Sequence, residues 1–257
     1  MKVIIVGGVA GGATAAARIR RLDEKAEITV FEKSGFISYA NCGLPYYIGD
    51  VITDKEELTL QTPESFYNRF NVNVKVHHEV TAVHPNRKTV EVKNLDTGEV
   101  FEEKYDKLLL SPGAKPIKPP FKGIDSDKLF TLRTVEDTLK IKEYVDKNKP
   151  KSAVVAGGGF IGLETAENLR ELGVEVTIVQ LLPQLMAPFD SDMASFIHSE
   201  VRKHGVKLAL GRKVENIYDE NEKIVVALEN DEPLTADMVV LAIGVAPDLS
   251  LIHISEP

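Results

Sequence analysis

Two stretches of the chain repeat one pattern: a short apolar run rich in β-branched residues, a glycine cluster, a helical stretch, and a second apolar run. In the first copy, residues 2–6 lead into Gly7-Gly8-Val9-Ala10-Gly11-Gly12, an alanine-rich helix to about Leu22, and a strand at 28–31 that closes on Glu32. In the second, about 150 residues later, residues 152–156 lead through Gly157-Gly158-Gly159-Phe160-Ile161-Gly162 to a helix at 163–172 and a strand at 174–179. Unbroken apolar runs joined by helical segments predict parallel strands buried on both faces. Between the copies, residues 72–83, 88–92 and 100–110 read as strands, with a turn at Asp96-Thr97-Gly98. Residues 111–120 hold four prolines and a glycine, a stiff connection that predicts a domain boundary. A helix is predicted at 134–147, another starts at Asp190-Ser191-Asp192, and strands at 207–210, 223–228 and 238–243 complete the second half. The expected fold class is α/β, with two Rossmann-like, three-layer nucleotide-binding domains.

Composition narrows the function without choosing it. The 257 residues are 43% hydrophobic and 27% charged, ordinary for a globular chain of about two domains. No apolar run is long enough to cross a bilayer and no signal peptide precedes the first strand, so a cytoplasmic protein without a membrane partner is expected. A net charge of −8 offers no broad footprint for nucleic acid. Cys42 is the one cysteine, which excludes an intrachain disulfide and a multi-cysteine metal site. His77-His78 alternate across a predicted strand and the other histidines lack companions at ligand spacing, so no metal is expected.

The glycines carry the first chemistry. In a dinucleotide-binding turn, one glycine makes the turn, a second lets backbone approach the pyrophosphate and a third lets helix pack on strand. Gly157, Gly159 and Gly162 meet the pattern in full; Gly7 and Gly12 meet it with Val9 at the middle place. Such turns also serve plain strand–helix packing, but two of them point to two nucleotides, a flavin and a nicotinamide. Glu32 lies 25 residues after Gly7, where a carboxylate accepts hydrogen bonds from an adenosine ribose. The equivalent place in the second copy is Gln180, neither the acid expected for NAD nor the arginine expected for NADP, so both cofactors stay open. Phe160, inside the second turn, reads as a core contact or, equally, by the family resemblance given below, as a ring over a cofactor. Glu164 is placed in the first helical turn, serving the nicotinamide side or the helix dipole.

Cys42 stands in Ser38-Tyr39-Ala40-Asn41-Cys42-Gly43-Leu44-Pro45. Asn41 reads as an N-cap, with Cys42 and Gly43 entering a short helix whose first turn holds Pro45. A helix N-terminus stabilises a thiolate, although a lone cysteine is more often an inert buried residue. Thr14, Arg18 and Arg21 share one helix stripe, a place for phosphates or simply a solvated basic face.

The segments GGVAGGATAAARIRRLD, FEKSGFISYANCGLPYYIGDVI, YDKLLLSPGA and GGGFIGLETAENL resemble the flavin disulfide reductases with a single redox cysteine, and SYANCGLPYYIG resembles most the coenzyme A disulfide reductases. The resemblance implies FAD and NAD(P)H as cofactors and coenzyme A disulfide, or a related small disulfide or persulfide, as substrate. NAD(P)H would reduce FAD, and the electrons would pass to a mixed disulfide between Cys42 and coenzyme A. Asn41 would donate to the Cys42 sulfur, and Ser38, Thr14, Arg18 and Arg21 would contact substrate. The cofactor site would comprise Gly7, Val9, Ala10, Gly12, Glu32, Lys33, Ser111, Pro112 and Gly113 for FAD, and Gly157, Gly159, Phe160, Ile161, Gly162 and Gln180 for NAD(P)H. An NADH oxidase or peroxidase cycling through a sulfenic acid is the alternative on this scaffold, and a non-catalytic flavin- or nucleotide-binding redox sensor the alternative from another class.

The resemblance also implies that the NAD domain is inserted in the FAD domain. Expected boundaries are 1–112 for the first part of the FAD domain, 113–150 for the connection and start of the NAD domain, 151–243 for the NAD(P)-binding domain, and 244–248 for the return to the FAD domain. Residues 249–257 (LSLIHISEP) resemble the translated end of a sequencing adapter and are expected to be non-native. The full-length parent is expected to be a homodimer through a further domain, and this chain by itself to be inactive.

Overall fold

The computed structural model describes residues 1–255, so Glu256 and Pro257 of the expected non-native tail lie outside the described residues. The chain forms two compact units: residues Met1–Ala40, Glu56–Lys115 and 247 onward, and residues Asn41–Lys55 with Pro116–Ala246. Residues 41–55, which the expected first domain (1–112) included, therefore group with the second unit.

In the first unit, strands β1 (Lys2–Val6), β2 (Glu27–Phe31), β3 (Asn73–Lys75) and β4 (Lys107–Leu110) form a parallel sheet in the order β3-β2-β1-β4, with helix α1 (Ala10–Leu22) crossing between β1 and β2. Alternation along the strands builds two cores. Val3, Ile5, Ile28 and Val30 pack on Ala13 and Ala16 of α1. Ile4, Val6 and Phe31 pack on Val80, Val83, Val90 and Val92 of an antiparallel three-stranded sheet. Buried on both faces, the parallel strands cannot show polar alternation, hence their continuous apolar runs.

Two expected strands divide because each serves both layers. The run 72–83 becomes β3 and His78–His84, separated by His77 at φ 54°, whose ring bonds Asp96 at 2.9 Å. The run 100–110 becomes Val100–Lys104 in the antiparallel sheet and β4 in the parallel one. Neither run holds a glycine or proline to mark the change of layer. The helix Pro63–Phe70, capped by a reciprocal Thr62–Ser65 pair, was not anticipated.

The second unit repeats the plan. Its segment 41–55 carries the short helix α2 (Leu44–Ile48). Strands β5 (Leu129–Thr131), β6 (Ser152–Ala156), β7 (Glu175–Gln180), β8 (Lys207–Leu210) and β9 (Met238–Leu241) form a parallel sheet in the order β5-β9-β6-β7-β8. Helices α3 (Val135–Asn148), α4 (Phe160–Glu171) and α5 (Ser191–Lys203) accompany it. Val154, Ala156, Val179, Val239 and Leu241 bury the opposite face against Ile217, Ile224, Val226 and Leu228 of a second antiparallel sheet. Both units are thus three-layered, as expected. Leu251, within the expected non-native tail, is buried in the first unit beside Ile4 and Val80. Among the described residues no helix is long and apolar enough to cross a membrane.

Candidate active site

In the first unit the glycine turn is shaped by backbone proximity. Gly7 has φ 92°, and a Cβ there would lie 2.1 Å from the Ser111 carbonyl oxygen; one on Gly12 would lie 1.7 Å from the Gly7 carbonyl. Ser111, Pro112 and Gly113 thus run against the turn, with the Ser111 N–H donating to the Val6 carbonyl at 2.8 Å. Val9 caps α1 with no side-chain hydrogen bond and Ala10 opens the helix, whose first turn holds no acid to compete with a bound anion. Glu32 is buried; its Oε2 accepts from the Gly8 N–H at 2.6 Å and its Oε1 from the Ser34 N–H at 2.8 Å. Each oxygen keeps acceptor capacity, which suits a ribose diol. Ser38, at φ 48°, is tied to the same turn by its N–H to the Gly8 carbonyl at 2.9 Å.

Lys33 faces Asp248 at 3.7 Å, and Lys115 holds the same carboxylate at 2.9 Å. Burial pushes the Asp248 carboxyl up, but hydrogen bonds from Lys115 and Ser250 outweigh it and hold it below its ordinary range. Sequence reasoning missed this pairing, since it joins residues from three distant segments. Thr14, Arg18 and Arg21 are exposed on α1 with no side-chain partner among the described residues. Arg20, beside them in sequence, turns inward and donates to the carbonyls of Phe70, Asp23, Glu24, Ala26 and Asn71. The stripe is therefore distinct from the structural arginine it flanks.

The second turn repeats the first. Gly157 has φ 117°, and a Cβ there would lie 2.2 Å from the Ala242 carbonyl; one on Gly162 would lie 1.9 Å from the Gly157 carbonyl. Gly159 differs, for a Cβ there meets nothing within 4 Å and its backbone is extended, at φ −87°. Nothing among the described residues requires glycine at 159, so this open cradle fits the close approach of a dinucleotide. Gln180 Oε1 accepts from the Gly158 N–H at 3.1 Å, as Glu32 does for Gly8. Phe160 is 65% exposed, so the core-contact reading fails, and Ile161 beside it is also exposed. Glu164 corrects an expectation: α4 starts at Phe160 and has no acid in its first turn, so Glu164 sits one turn further in, away from the dipole's end. Burial, then Glu167, pushes its carboxyl up.

Cys42 is exposed and belongs to the second unit. The expectation of an Asn41 cap is corrected here. Residues Asn41–Gly43 form a 3₁₀ turn, Gly43 precedes α2 without a side-chain cap, and α2 is only five residues long. Asn41 is not a cap because its side chain is engaged elsewhere: Oδ1 accepts from Arg133 Nη1 at 2.9 Å. The segment is held instead by its neighbours. A Cβ at Gly49 would lie 2.2 Å from Oδ1 of buried Asn168 in α4, and Asp50 meets Lys142 of α3 at 2.7 Å. Tyr46, one turn after Cys42, has its phenol pushed up by burial, then by Glu164, Glu167 and Cys42. Sequence reasoning missed Arg133, Lys142 and Tyr46, since no local pattern marks a contact made across 92 residues.

The donor sets thus fit the two expected cofactors: a buried acid and open helix N-terminus in one unit, an unfilled glycine cradle beside an exposed aromatic ring in the other. A profile of the pyridine nucleotide-disulphide oxidoreductases matches residues 1–256. Coenzyme A disulfide reductase from Staphylococcus haemolyticus is 39% identical over 255 residues, covering 99% of this chain and 56% of that protein. Among solved structures, reduced Bacillus anthracis CoADR-RHD superposes with a TM-score of 0.95 at 48% identity, covering 99% of this chain and 45% of that one. The water-forming NADH oxidase from Lactobacillus brevis, bound to NADH, gives 0.92 at 33% identity, over 98% of this chain and 56% of its own. The NAD-dependent persulfide reductase from A. fulgidus gives 0.93 at 35%, over 98% and 48%. The chain therefore spans about half the length of the relatives it matches. FAD and NAD(P)H, the two cofactors expected, are those of this family. The match along the whole chain and the paired glycine turns agree: the chain belongs to the pyridine nucleotide-disulphide oxidoreductases.

Proposed function

We propose that the whole protein is an FAD-dependent NAD(P)H:disulfide oxidoreductase that reduces coenzyme A disulfide, or a related persulfide, through Cys42. The observation that carries this reading is one exposed thiol, held in a turn anchored to α3 and α4, in the unit that also bears the open Gly159 cradle. The first unit would take FAD on Gly7, Val9, Ala10, Gly12, Glu32, Lys33 and residues 111–113. The second would take NAD(P)H on Gly157, Gly159, Phe160, Ile161, Gly162 and Gln180.

FAD supplies two electrons taken from NAD(P)H. The Cys42 thiolate attacks one sulfur of the substrate disulfide; the substrate S–S bond breaks, a bond to Cys42 forms, and one substrate thiolate leaves. Two electrons then cleave the Cys42 mixed disulfide, which returns the Cys42 thiolate and releases the second substrate thiolate. One protein sulfur suffices because the substrate brings its own. Arg133 takes only the oxygen of Asn41, so its amide N–H groups would serve as donors to the sulfur. Thr14, Arg18, Arg21 and Ser38 would hold the phosphates and pantetheine arm of the substrate. A homodimer, completed by residues that the longer relatives contain, and a cytoplasmic location belong to the same reading.

Cys42→Ser in the full-length protein is expected to abolish reduction of coenzyme A disulfide while bound flavin is retained. Undiminished disulfide turnover in that variant would sink the mechanism. The similarity to the Lactobacillus brevis oxidase supports a second reading, in which Cys42 cycles through sulfenic acid. Comparing oxygen, hydrogen peroxide and coenzyme A disulfide as acceptors separates the two; flavin binding without turnover on any of them would favour the redox sensor.

A further inference from the structure

Arg133 enters the reaction as set out above only through the Asn41 oxygen that it holds, and its charge has no part there. It lies between β5 and α3, and its backbone is fixed by the capping box of α3. The Asp137 carboxylate accepts from the Arg133 and Thr134 N–H groups at 3.0 and 3.2 Å, and Thr134 Oγ1 accepts from the Asp137 N–H. From this base the guanidinium reaches one side-chain acceptor, exposed Asn41 Oδ1, at 2.9 Å in a solvent-exposed hydrogen bond. No carboxylate forms an ion pair with it among the described residues. The charge therefore stands at the surface, in contact with the residue that precedes Cys42.

We propose that Arg133 is a positioning residue for Cys42, and that its unneutralised charge favours anionic disulfides at that thiol. The proposal rests on the disulfide-reductase reading for its substrate class. By holding Asn41 Oδ1, Arg133 decides which end of that amide faces outward, so the N–H groups are left for the sulfur or the incoming substrate. By carrying no counter-ion, it leaves a positive charge one residue from the thiol, where a phosphorylated disulfide arrives.

The test uses the full-length holoenzyme and two alkylating reagents of similar size, neutral iodoacetamide and anionic iodoacetate, with Cys42 modification followed by mass. In Arg133→Gln the rate with iodoacetate, divided by that with iodoacetamide, is expected to fall about fivefold. Arg133→Lys is expected to restore most of that ratio, since it keeps the charge. In steady-state assays Arg133→Gln should raise KM for coenzyme A disulfide more than for an uncharged disulfide such as hydroxyethyl disulfide. Lys142→Gln, which loosens the other end of the segment, should leave the reagent ratio unchanged. An unchanged ratio in Arg133→Gln, or an equal fall in Lys142→Gln, overturns the proposal. Failure of the reductase reading looks different: Cys42→Ser would still turn over disulfide, whereas the reagent ratio reports on Arg133 without any turnover.

Discussion

Lys142 reaches Asp50 at 2.7 Å and closes the far end of the segment whose near end Arg133 holds through Asn41. Both contacts join residues 92 apart, so the Cys42 turn and α2 run alongside α3 in step, clamped at two points. The Lys142 side chain is 14% exposed and that of Asp50 is 52%, so solvent screens one partner. Lys142→Met is expected to lower stability by about 1 kcal/mol, no more than a screened pair contributes. Urea unfolding of the full-length protein measures it, and a loss well above that value would mean Lys142 also supports the core.

The glycines of the second turn should separate by role. Gly157→Ala forces a side chain into φ 117° and against the Ala242 carbonyl, so a loss of roughly 2–4 kcal/mol is expected. Gly159→Ala meets nothing, so stability should stay within about 1 kcal/mol while NAD(P)H binding weakens at least tenfold. Thermal unfolding and fluorescence titration read the two effects. Normal NAD(P)H affinity in Gly159→Ala would refute the cradle.

Gln180 holds the Gly158 N–H through its oxygen, and a glutamate would keep that acceptor while adding charge. Gln180→Glu should shift the NADH:NADPH preference toward NADH by about tenfold, because a carboxylate accepts from a 2′-hydroxyl and repels a 2′-phosphate. Ratios of kcat/KM with the two cofactors decide it; an unmoved ratio would place the adenosine ribose elsewhere.

Asp237 gives the second unit an acid-sensitive joint. Burial pushes its carboxyl up, but Lys223 and the N–H groups of Lys151 and Ser152 outweigh this and hold it below its ordinary range. A folded-state pKa below the unfolded value means the stabilisation is complete above about pH 4 and is lost as pH falls through the folded pKa. Asp237→Asn is therefore expected to cost about 2 kcal/mol at pH 7 and progressively less below pH 4. Urea midpoints at pH 7 and pH 3 measure the difference; a gap that widens in acid would reverse the assignment.

Hydrophobic pattern and glycine spacing determined most of the architecture, because strand, turn and helix in each βαβ repeat are local and their residues are sequence neighbours. Glu32 and Gln180 were legible for the same reason: a strand of fixed length returns its last residue to the turn it started from. Layer changes were not legible, since 72–83 and 100–110 carry no glycine or proline where they pass from one sheet to another. The setting of Cys42 was decided by tertiary structure alone. Its own residues suggest a capped helix, but Asn41 satisfies Arg133 instead, and Gly49, Asp50 and Tyr46 take their partners from α3 and α4. A five-residue helix has too few hydrogen bonds to fix its own geometry, so distant elements fix it. Sequence named the thiol; packing chose its neighbours.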